Sequence, residues 1–204
     1  MKIDKDHLQY NWWKYLIVVL IPILLWTTVF YMVARPKDNE KLHVLFLGDD
    51  LDVKALQQAL EETIPAMTDQ EIKEIKVVAE YVTDEIYGQK MTSYSYEFDL
   101  IIVSQPFMAK NTGQFFRRLP MGGLPGYETE KLHMELVEEG DYLAPFGFVL
   151  WEPGVENGFS QFYSGEETCY LFFSTESVNL YPLFAGSAEG DNAAVVALDF
   201  LLKE

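Results

Sequence analysis

The pattern of apolar and charged positions divides the chain into an apolar N-terminal run and a longer mixed segment. Residues 15–34, YLIVVLIPILLWTTVFYMVA, hold no charged side chain over 20 positions. As a helix rising ~1.5 Å per residue, this run is about 30 Å long, which matches the hydrocarbon core of a bilayer. Trp12, Trp13 and Tyr31 lie near its ends, where aromatic side chains favour the membrane interface. The pattern predicts a transmembrane helix at 15–34.

A cleaved signal peptide and a buried core helix are the two alternatives for this run. Signal peptides have an apolar core of ~7–15 residues and a small-x-small cleavage site. Here the core is longer, and Met32-Val33-Ala34 is a poor cleavage site with Pro36 close behind. A core helix this long and apolar is unusual at the start of a chain. We therefore predict an uncleaved signal anchor that crosses the membrane once.

The orientation of this anchor is not decided by its flanking basic residues, because three lie on each side: Lys2, Lys5 and Lys14 before it, and Arg35, Lys37 and Lys41 after it. The 14-residue N-terminal tail is the natural part to remain inside, with the long segment exported. We predict a cell-membrane protein in which residues 1–14 form a cytoplasmic tail and residues 35–204 are extracytoplasmic.

The mixed segment begins with a polar linker at 35–40 and continues as one domain, 41–204. Apolar residues follow strand periodicity and helical periodicity in turn. They predict strands at 42–47, 75–82 and 98–103, with a helix at 52–64 that ends at Pro65 and a second helix at 83–94. This alternation predicts a layered α/β domain with a mainly parallel sheet.

The second half of the domain is less regular. LPMGGLPG, residues 119–126, predicts a loop because of its glycines and prolines. Leu132 and Leu136 have helical spacing, which predicts a helix at 128–138. Strands are predicted at 146–151 and 169–174, and a closing helix at 191–203 with Asp191 as its N-cap.

Charge and cysteine content exclude several classes of function. Residues 35–204 contain 12 basic and 30 acidic residues, a net charge of −18. Nucleic acids would be repelled by such a domain, so we predict no nucleic-acid partner. Cys169 is the single cysteine. It cannot form a disulfide within the chain or a cysteine zinc site, and its apolar surroundings predict a buried thiol.

The candidate functional residues follow predicted strands. Asp49 and Asp50 come directly after the first strand, Ser104 and Gln105 follow the third, and Trp151 ends a later one. Ligands of α/β folds bind beside such strand ends, so these five residues are the predicted ligand-binding set. The simpler interpretation is that Asp50 or Asp52 caps the following helix. No catalytic motif, metal site or cofactor is predicted, although a metal-dependent enzyme using Asp49 and Asp50 is a third alternative.

Several segments together resemble one lobe of the extracellular solute-binding proteins of bacterial ABC transporters. They are HVLFLGDDLDVKALQQALEE (43–62), EIKVVAEYV (74–82), EFDLIIVSQP (97–106), DYLAPFGFVLW (141–151) and CYLFFSTESVNLYPLFAG (169–186). The chain is more similar still to small membrane-anchored Gram-positive proteins that carry only part of that fold. The resemblance covers most of 41–185. It implies a single lobe of a periplasmic-binding-like fold, since a two-lobed clamshell needs roughly twice this length.

The resemblance implies binding rather than catalysis. We expect an extracytoplasmic binding or accessory protein, not an enzyme, that works with a sugar or peptide transporter or with a sensing system. The expected partners are a transporter or another surface protein and a small-molecule ligand. The alternative is a structural or partner-docking domain that binds no small molecule.

Overall fold

The computed structural model describes residues 5–68, 70–104, 115–120, 132–137, 142–175, 177 and 192–203, without the side chains of residues 5–11, 135–137 and 142. The chain falls into two compact units, Met1–Lys37 and Asp38–Glu204. Each unit has its own organisation.

The first unit is built on one helix, α1, at Lys5–Ala34. Its Trp12–Ala34 portion has a mean hydropathy of 2.5, and its side chains are exposed. The hydroxyl groups of Thr27 and Thr28 donate to carbonyl oxygens one turn back, so neither requires water. By length and composition this helix can span a membrane, and a signal sequence would have the same properties.

The second unit contains the remaining described elements. They are β1 (Lys41–Leu47), α2 (Val53–Met67), β2 (Glu74–Glu80), α3 (Asp84–Glu97), β3 (Leu100–Val103), β4 (Leu132–Val137), β5 (Tyr142–Trp151), β6 (Cys169–Phe173) and α4 (Ala193–Leu202). The described strands form one sheet in the order β2-β1-β3-β6-β5-β4. The α/β class predicted from periodicity is confirmed.

Apolar residues of the central strands alternate between the two faces of this sheet. On one face, Phe46 and its neighbours pack against α2 and α4. On the other, Leu45 and Leu47 pack against Tyr87, Met91 and Tyr94 of α3. Because β2 and β3 lie on opposite sides of β1, crossovers of the same hand place α2 and α3 on opposite faces. The central strands are therefore buried between α2 and α4 on one face and α3 on the other.

The sheet is mixed, so the prediction of a mainly parallel sheet is wrong. β1 pairs in parallel with β2 and with β3. The pairs β3–β6, β6–β5 and β5–β4 are antiparallel. The prediction extended the parallel order of the first three strands to the whole sheet. The apolar pattern of the later strands indicates their period but carries no signal for strand direction.

The predicted helix at 128–138 is also wrong where the structure describes it, because residues 132–137 form β4. Leu132, Met134 and Leu136 fit a period of two as well as helical spacing, and pairing with β5 decides between them. The register shifts between His133 and Met134. Leu132 is consequently buried, whereas Met134 is 40% exposed.

Two helix ends differ from their predicted positions. Pro65 does not end α2, which continues to Met67. Within the last turn, proline removes one hydrogen bond, while the amide of Thr68 still donates to the carbonyl oxygen of Ile64. The N-cap of α4 is Asn192, whose side chain accepts from the amide of Ala194. Asp191 lies outside the described residues.

The entry of the chain into the second unit is held by several contacts. A 3-10 turn at Asp38–Glu40 precedes β1. Lys73 forms an ion pair with Glu40 at 3.0 Å, and its amide donates to the carbonyl oxygen of Glu40 at 2.7 Å. The Gln70 side chain donates to the carbonyl oxygen of Asn39 and accepts from the amide of Ala193. The first and last elements of this unit are thus joined through one glutamine.

Candidate functional site at the carboxyl edge of the sheet

β1, β2, β3 and β5 all end at the same edge of the sheet, which we call the carboxyl edge. The strand pairing places Leu47 beside Glu80 and Val103, so the chain leaves all three parallel strands at one level. From β1 the chain crosses to β2 on one side, and β3 lies on the other. Crevices at such reversals of strand order are the usual ligand sites of open α/β sheets.

Gly48 and Ser104 make the closest approach between the ends of β1 and β3. The amide of Ser104 donates to the carbonyl oxygen of Leu47 at 3.0 Å, and its hydroxyl group donates to the same oxygen at 3.3 Å. A Cβ at position 48 would overlap the Ser104 hydroxyl group, so only glycine fits there. Ser104 is 3% exposed. Its hydroxyl group therefore lies against Gly48 and is bonded to the end of β1.

Asp49 and Asp50 form the outer surface of this turn. Both side chains are exposed, and neither carboxylate makes a hydrogen bond or an ion pair with the residues that the structure describes. Asp50 has φ +68°, a left-handed conformation that is uncommon outside glycine. Asp52 has a different role, because its carboxylate accepts from the amide of Ala55 at 3.0 Å and caps α2. The prediction that Asp50 or Asp52 caps the helix is confirmed for Asp52.

A distant segment of the chain pairs with the turn. The amide and hydroxyl groups of Ser164 both donate to the carbonyl oxygen of Asp50, at 3.0 and 3.2 Å. The amide of Asp52 donates to the carbonyl oxygen of Phe162 at 2.8 Å, and Leu51 and Tyr163 form an antiparallel bridge. The left-handed residue is thus held by hydrogen bonds at its own carbonyl group and at the two residues that follow it.

Three polar side chains lie together beneath the turn: those of Ser104, Tyr163 and Cys169. The phenol of Tyr163 donates to the carbonyl oxygen of Glu167 at 3.3 Å. Burial raises the pKa of this phenol, and the Cys169 side chain adds to the effect. Burial also raises the pKa of the Cys169 thiol to about 12. Both groups are neutral at physiological pH, so they serve packing rather than nucleophilic chemistry.

Trp151 ends β5 at the carboxyl edge and is half-buried. Its indole nitrogen donates to the carbonyl oxygen of Val155 at 2.9 Å. Its ring meets Tyr163 edge to face, with centroids 5.1 Å apart. Trp151 therefore contacts Tyr163, which pairs with Leu51, and its indole N–H is bonded within the protein.

At the end of β2, Glu80 accepts hydrogen bonds from the side chains of Lys90 and Tyr94 on α3. Hydrogen bonding by Lys90 and then by Tyr94 lowers the pKa of Glu80, and the pKa of Lys90 is raised by the same contact. No sequence motif predicts this group, because Glu80 lies on a strand and Lys90 and Tyr94 on the following helix. It ties α3 to the sheet.

The structure thus brings Asp49, Asp50, Ser104 and Trp151 to one edge, while Gln105 lies outside the described residues. Of these side chains, only the two aspartates are both exposed and unbonded within the described part of the chain. In that same part, no three His, Cys, Asp or Glu side chains come together as a metal site. The available chemistry is acceptance of hydrogen bonds from hydroxyl, amide or ammonium groups by two carboxylates.

Comparison with known proteins gives no relative: no protein-family model, curated protein or solved structure matches the chain.

Proposed function

We propose that this chain is a membrane-anchored binding protein whose second unit lies outside the cytoplasm and serves a solute transporter or a sensing system. The observation that carries the proposal is the pair of exposed carboxylates of Asp49 and Asp50 at the reversal of strand order, which make no bond with the described residues. The apolar helix α1 supports anchoring, and the resemblance to a single solute-binding lobe supports a binding role.

The chemistry of the carboxyl edge favours one class of ligand. Carboxylates accept hydrogen bonds and repel anions, and the whole chain has a net charge of −17. A sugar, with its hydroxyl groups, or a peptide, with its amides and terminal ammonium, suits these acceptors. Phosphorylated or carboxylate-rich ligands do not.

Thermal unfolding of the full chain in detergent, with a panel of neutral sugars and short peptides, tests the ligand. A ligand at 100 times its dissociation constant stabilises the native state by about 2.7 kcal/mol. For a chain of this size, that raises Tm by roughly 5–10 °C. The matched variants are Asp49→Asn with Asp50→Asn, and Glu61→Gln with Glu62→Gln on the exposed side of α2, which remove the same charge.

The shift is expected in the wild type and in the α2 variant, and is expected to be lost in the Asp49/Asp50 variant. A rise in Tm that persists in the Asp49/Asp50 variant would show that the ligand binds at another site. If no compound in the panel stabilises the wild type, the small-molecule proposal fails.

Protease treatment of intact cells tests the orientation. Removal of residues 35–204, with α1 left in the membrane fraction, is the expected result. A second unit that is digested only after cell lysis would contradict the extracytoplasmic location. The intact mass of the membrane-extracted chain tests anchoring, because cleavage of a signal sequence after Ala34 would remove residues 1–34.

A partner-docking domain is favoured by a different observation. Ser104 and Trp151 use their polar atoms inside the protein, which leaves a small ligand few groups to contact. Photo-crosslinking from position 49 in native membranes separates the two functions. A specific crosslinked protein together with a negative ligand panel supports docking, and a ligand-protected position 49 supports binding.

A further inference from the structure

The segment 157–164 connects two places that are far apart in the chain: the C-terminal end of α4 and the turn that carries Asp50. At one end, the amide of Gly158 donates to the carbonyl oxygen of Lys203 at 2.6 Å, and that of Phe159 to Leu201 at 3.0 Å. These carbonyl groups belong to the last turn of α4 and its C-cap, where intrahelical partners end. A side chain at position 158 would overlap the carbonyl oxygen of Phe200, so glycine is required for this approach.

The middle of the 157–164 segment is held by its own hydrogen bonds. The Asn157 side chain accepts from the amides of Phe159 and Ser160, both at 3.1 Å, and donates to the carbonyl oxygen of Leu150 at 2.7 Å. The Ser160 hydroxyl group donates back to the carbonyl oxygen of Asn157. The segment is therefore a set of hydrogen-bonded turns attached to β5.

Its aromatic side chains fix the segment to the core. Phe159, Phe162 and Tyr163 are buried. The rings of Phe159 and Tyr163 stack at 5.5 Å, and Phe46 of β1 contacts Tyr163 at 5.8 Å. At the other end, Ser164, Tyr163 and Phe162 pair with Asp50, Leu51 and Asp52 as described above. The turn is thus held against the segment, and the segment against α4.

We propose that Ser164 is a positioning residue for Asp50, and that the 157–164 segment makes the placement of this carboxylate depend on the C-terminal end of α4. The proposal rests on the proposed function in one respect only: the carboxylate that is held in place is the one that contacts the ligand. A left-handed residue other than glycine persists only where its surroundings determine it, and Ser164 supplies two of the bonds that do so. Coupling of this kind is reciprocal in free energy, so a ligand on Asp50 would also stabilise the closed form of the α4 C-terminal end.

Amide hydrogen exchange of the full chain in detergent micelles tests this coupling without any ligand. In Gly158→Ala, the displaced segment is expected to raise the exchange rates of the Asp52 and Ser164 amides by about fivefold, the factor for loss of one hydrogen bond. These amides lie at the far end of the segment from the substitution. Gly88→Ala is the matched control, because its added methyl group meets open space.

If Gly158→Ala does not fold, Ser164→Ala still tests the proposal, because it removes only one hydroxyl group. It is expected to raise exchange at Asp52 and to shift the carboxyl carbon resonance of Asp50, with recovery in Ser164→Thr. Ser93→Ala, which removes a hydroxyl group on the exposed side of α3, is expected to change neither.

Unchanged exchange at Asp52 in Ser164→Ala, or an unchanged Asp50 resonance, would overturn the proposal. Faster exchange that is confined to the amides of residues 158 and 159 in a folded Gly158→Ala variant would also overturn it. Because no ligand is used, failure here is distinct from a negative ligand panel, which would end the proposed function and leave the coupling intact.

Discussion

At the scale of single residues, the contact between Gly48 and Ser104 sets the shape of the candidate site. The Ser104 hydroxyl group occupies the space where a side chain at position 48 would lie, and Gly48 has φ +155°. The turn can pass over the end of β3 only because position 48 has no side chain. The exposure of Asp49 and Asp50 follows from this close approach.

Gly48→Ala is expected to lower the free energy of unfolding by about 1–3 kcal/mol, the usual cost of overpacking. Adding Ser104→Ala should recover part of that loss, because it removes the atom that collides with the new methyl group, and the strain in φ would remain. Denaturant titration of the two single variants and the double variant measures this coupling. Additive losses would show that Ser104 is not the obstacle.

Cys169 is expected to be unreactive in the folded protein, because burial raises its pKa to about 12 and only the thiolate is a good nucleophile. A maleimide at pH 7 should modify it only as denaturant unfolds the chain. Gln58→Cys, on the exposed side of α2, is the control and should react at once. Equal rates at the two positions in native conditions would contradict the burial of Cys169.

At the scale of elements, α3 is attached to the sheet by a polar group as well as by packing. Glu80 at the end of β2 bonds to Lys90 and Tyr94, while Tyr87 and Met91 bury the apolar side of the same helix. This attachment depends on pH, because hydrogen bonding lowers the pKa of Glu80 below its ordinary value of 4.5.

Stabilisation by Glu80 is present above its unfolded pKa and is lost as the pH falls through its folded value. Glu80→Gln should therefore destabilise the protein at pH 7, and this difference from the wild type should vanish in acid. Glu152→Gln, at an exposed position whose side chain makes no bond within the described part of the chain, should differ little from the wild type at either pH. Denaturant titration at several pH values measures both, and a constant difference for Glu80→Gln would contradict the assignment.

The helices and strands differ in how well the sequence predicts them. Leu42–Leu47 is apolar at every position but His43, which predicted a strand, and it lies at the centre of the parallel region. Val53, Leu56, Leu60 and Ile64 repeat with helical spacing and form the inner side of α2. In LHMELV, by contrast, two periods fit the same residues, and only pairing with β5 selected the strand.

The sequence indicated where the candidate site lies, but not which side chains contact each other there. Asp49 and Asp50 were placed correctly at a strand end, because glycine after an apolar run marks the end of β1. Ser164 could not be connected to Asp50, since more than a hundred residues separate them and FYSGEE reads as a surface loop. Contacts between loops of this kind depend on the whole core and leave no local pattern.

At the scale of the whole molecule, an apolar helix precedes a strongly acidic α/β unit. A charged residue at the centre of a membrane span costs ~2.5–3.5 kcal/mol on insertion scales. Leu20→Arg with Leu24→Arg is therefore expected to release the chain from the membrane fraction in alkaline extraction. Gln58→Arg with Glu62→Arg adds the same side chains to α2 and should leave the chain bound. Retention of the helix variant would show that α1 does not hold the protein in the membrane.

The contacts at Asp38–Glu40 have a mechanical consequence. The chain enters the second unit directly into β1, which has a parallel hydrogen-bonded neighbour on each side. Tension applied at Asp38 along this strand would load both ladders in shear, so that many hydrogen bonds share the force and must break together. Gln70 also bonds the residues before β1 to the start of α4. Tension at Asp38 is therefore expected to be resisted by the hydrogen bonds along β1, which starts at the edge of the sheet opposite Asp49 and Asp50.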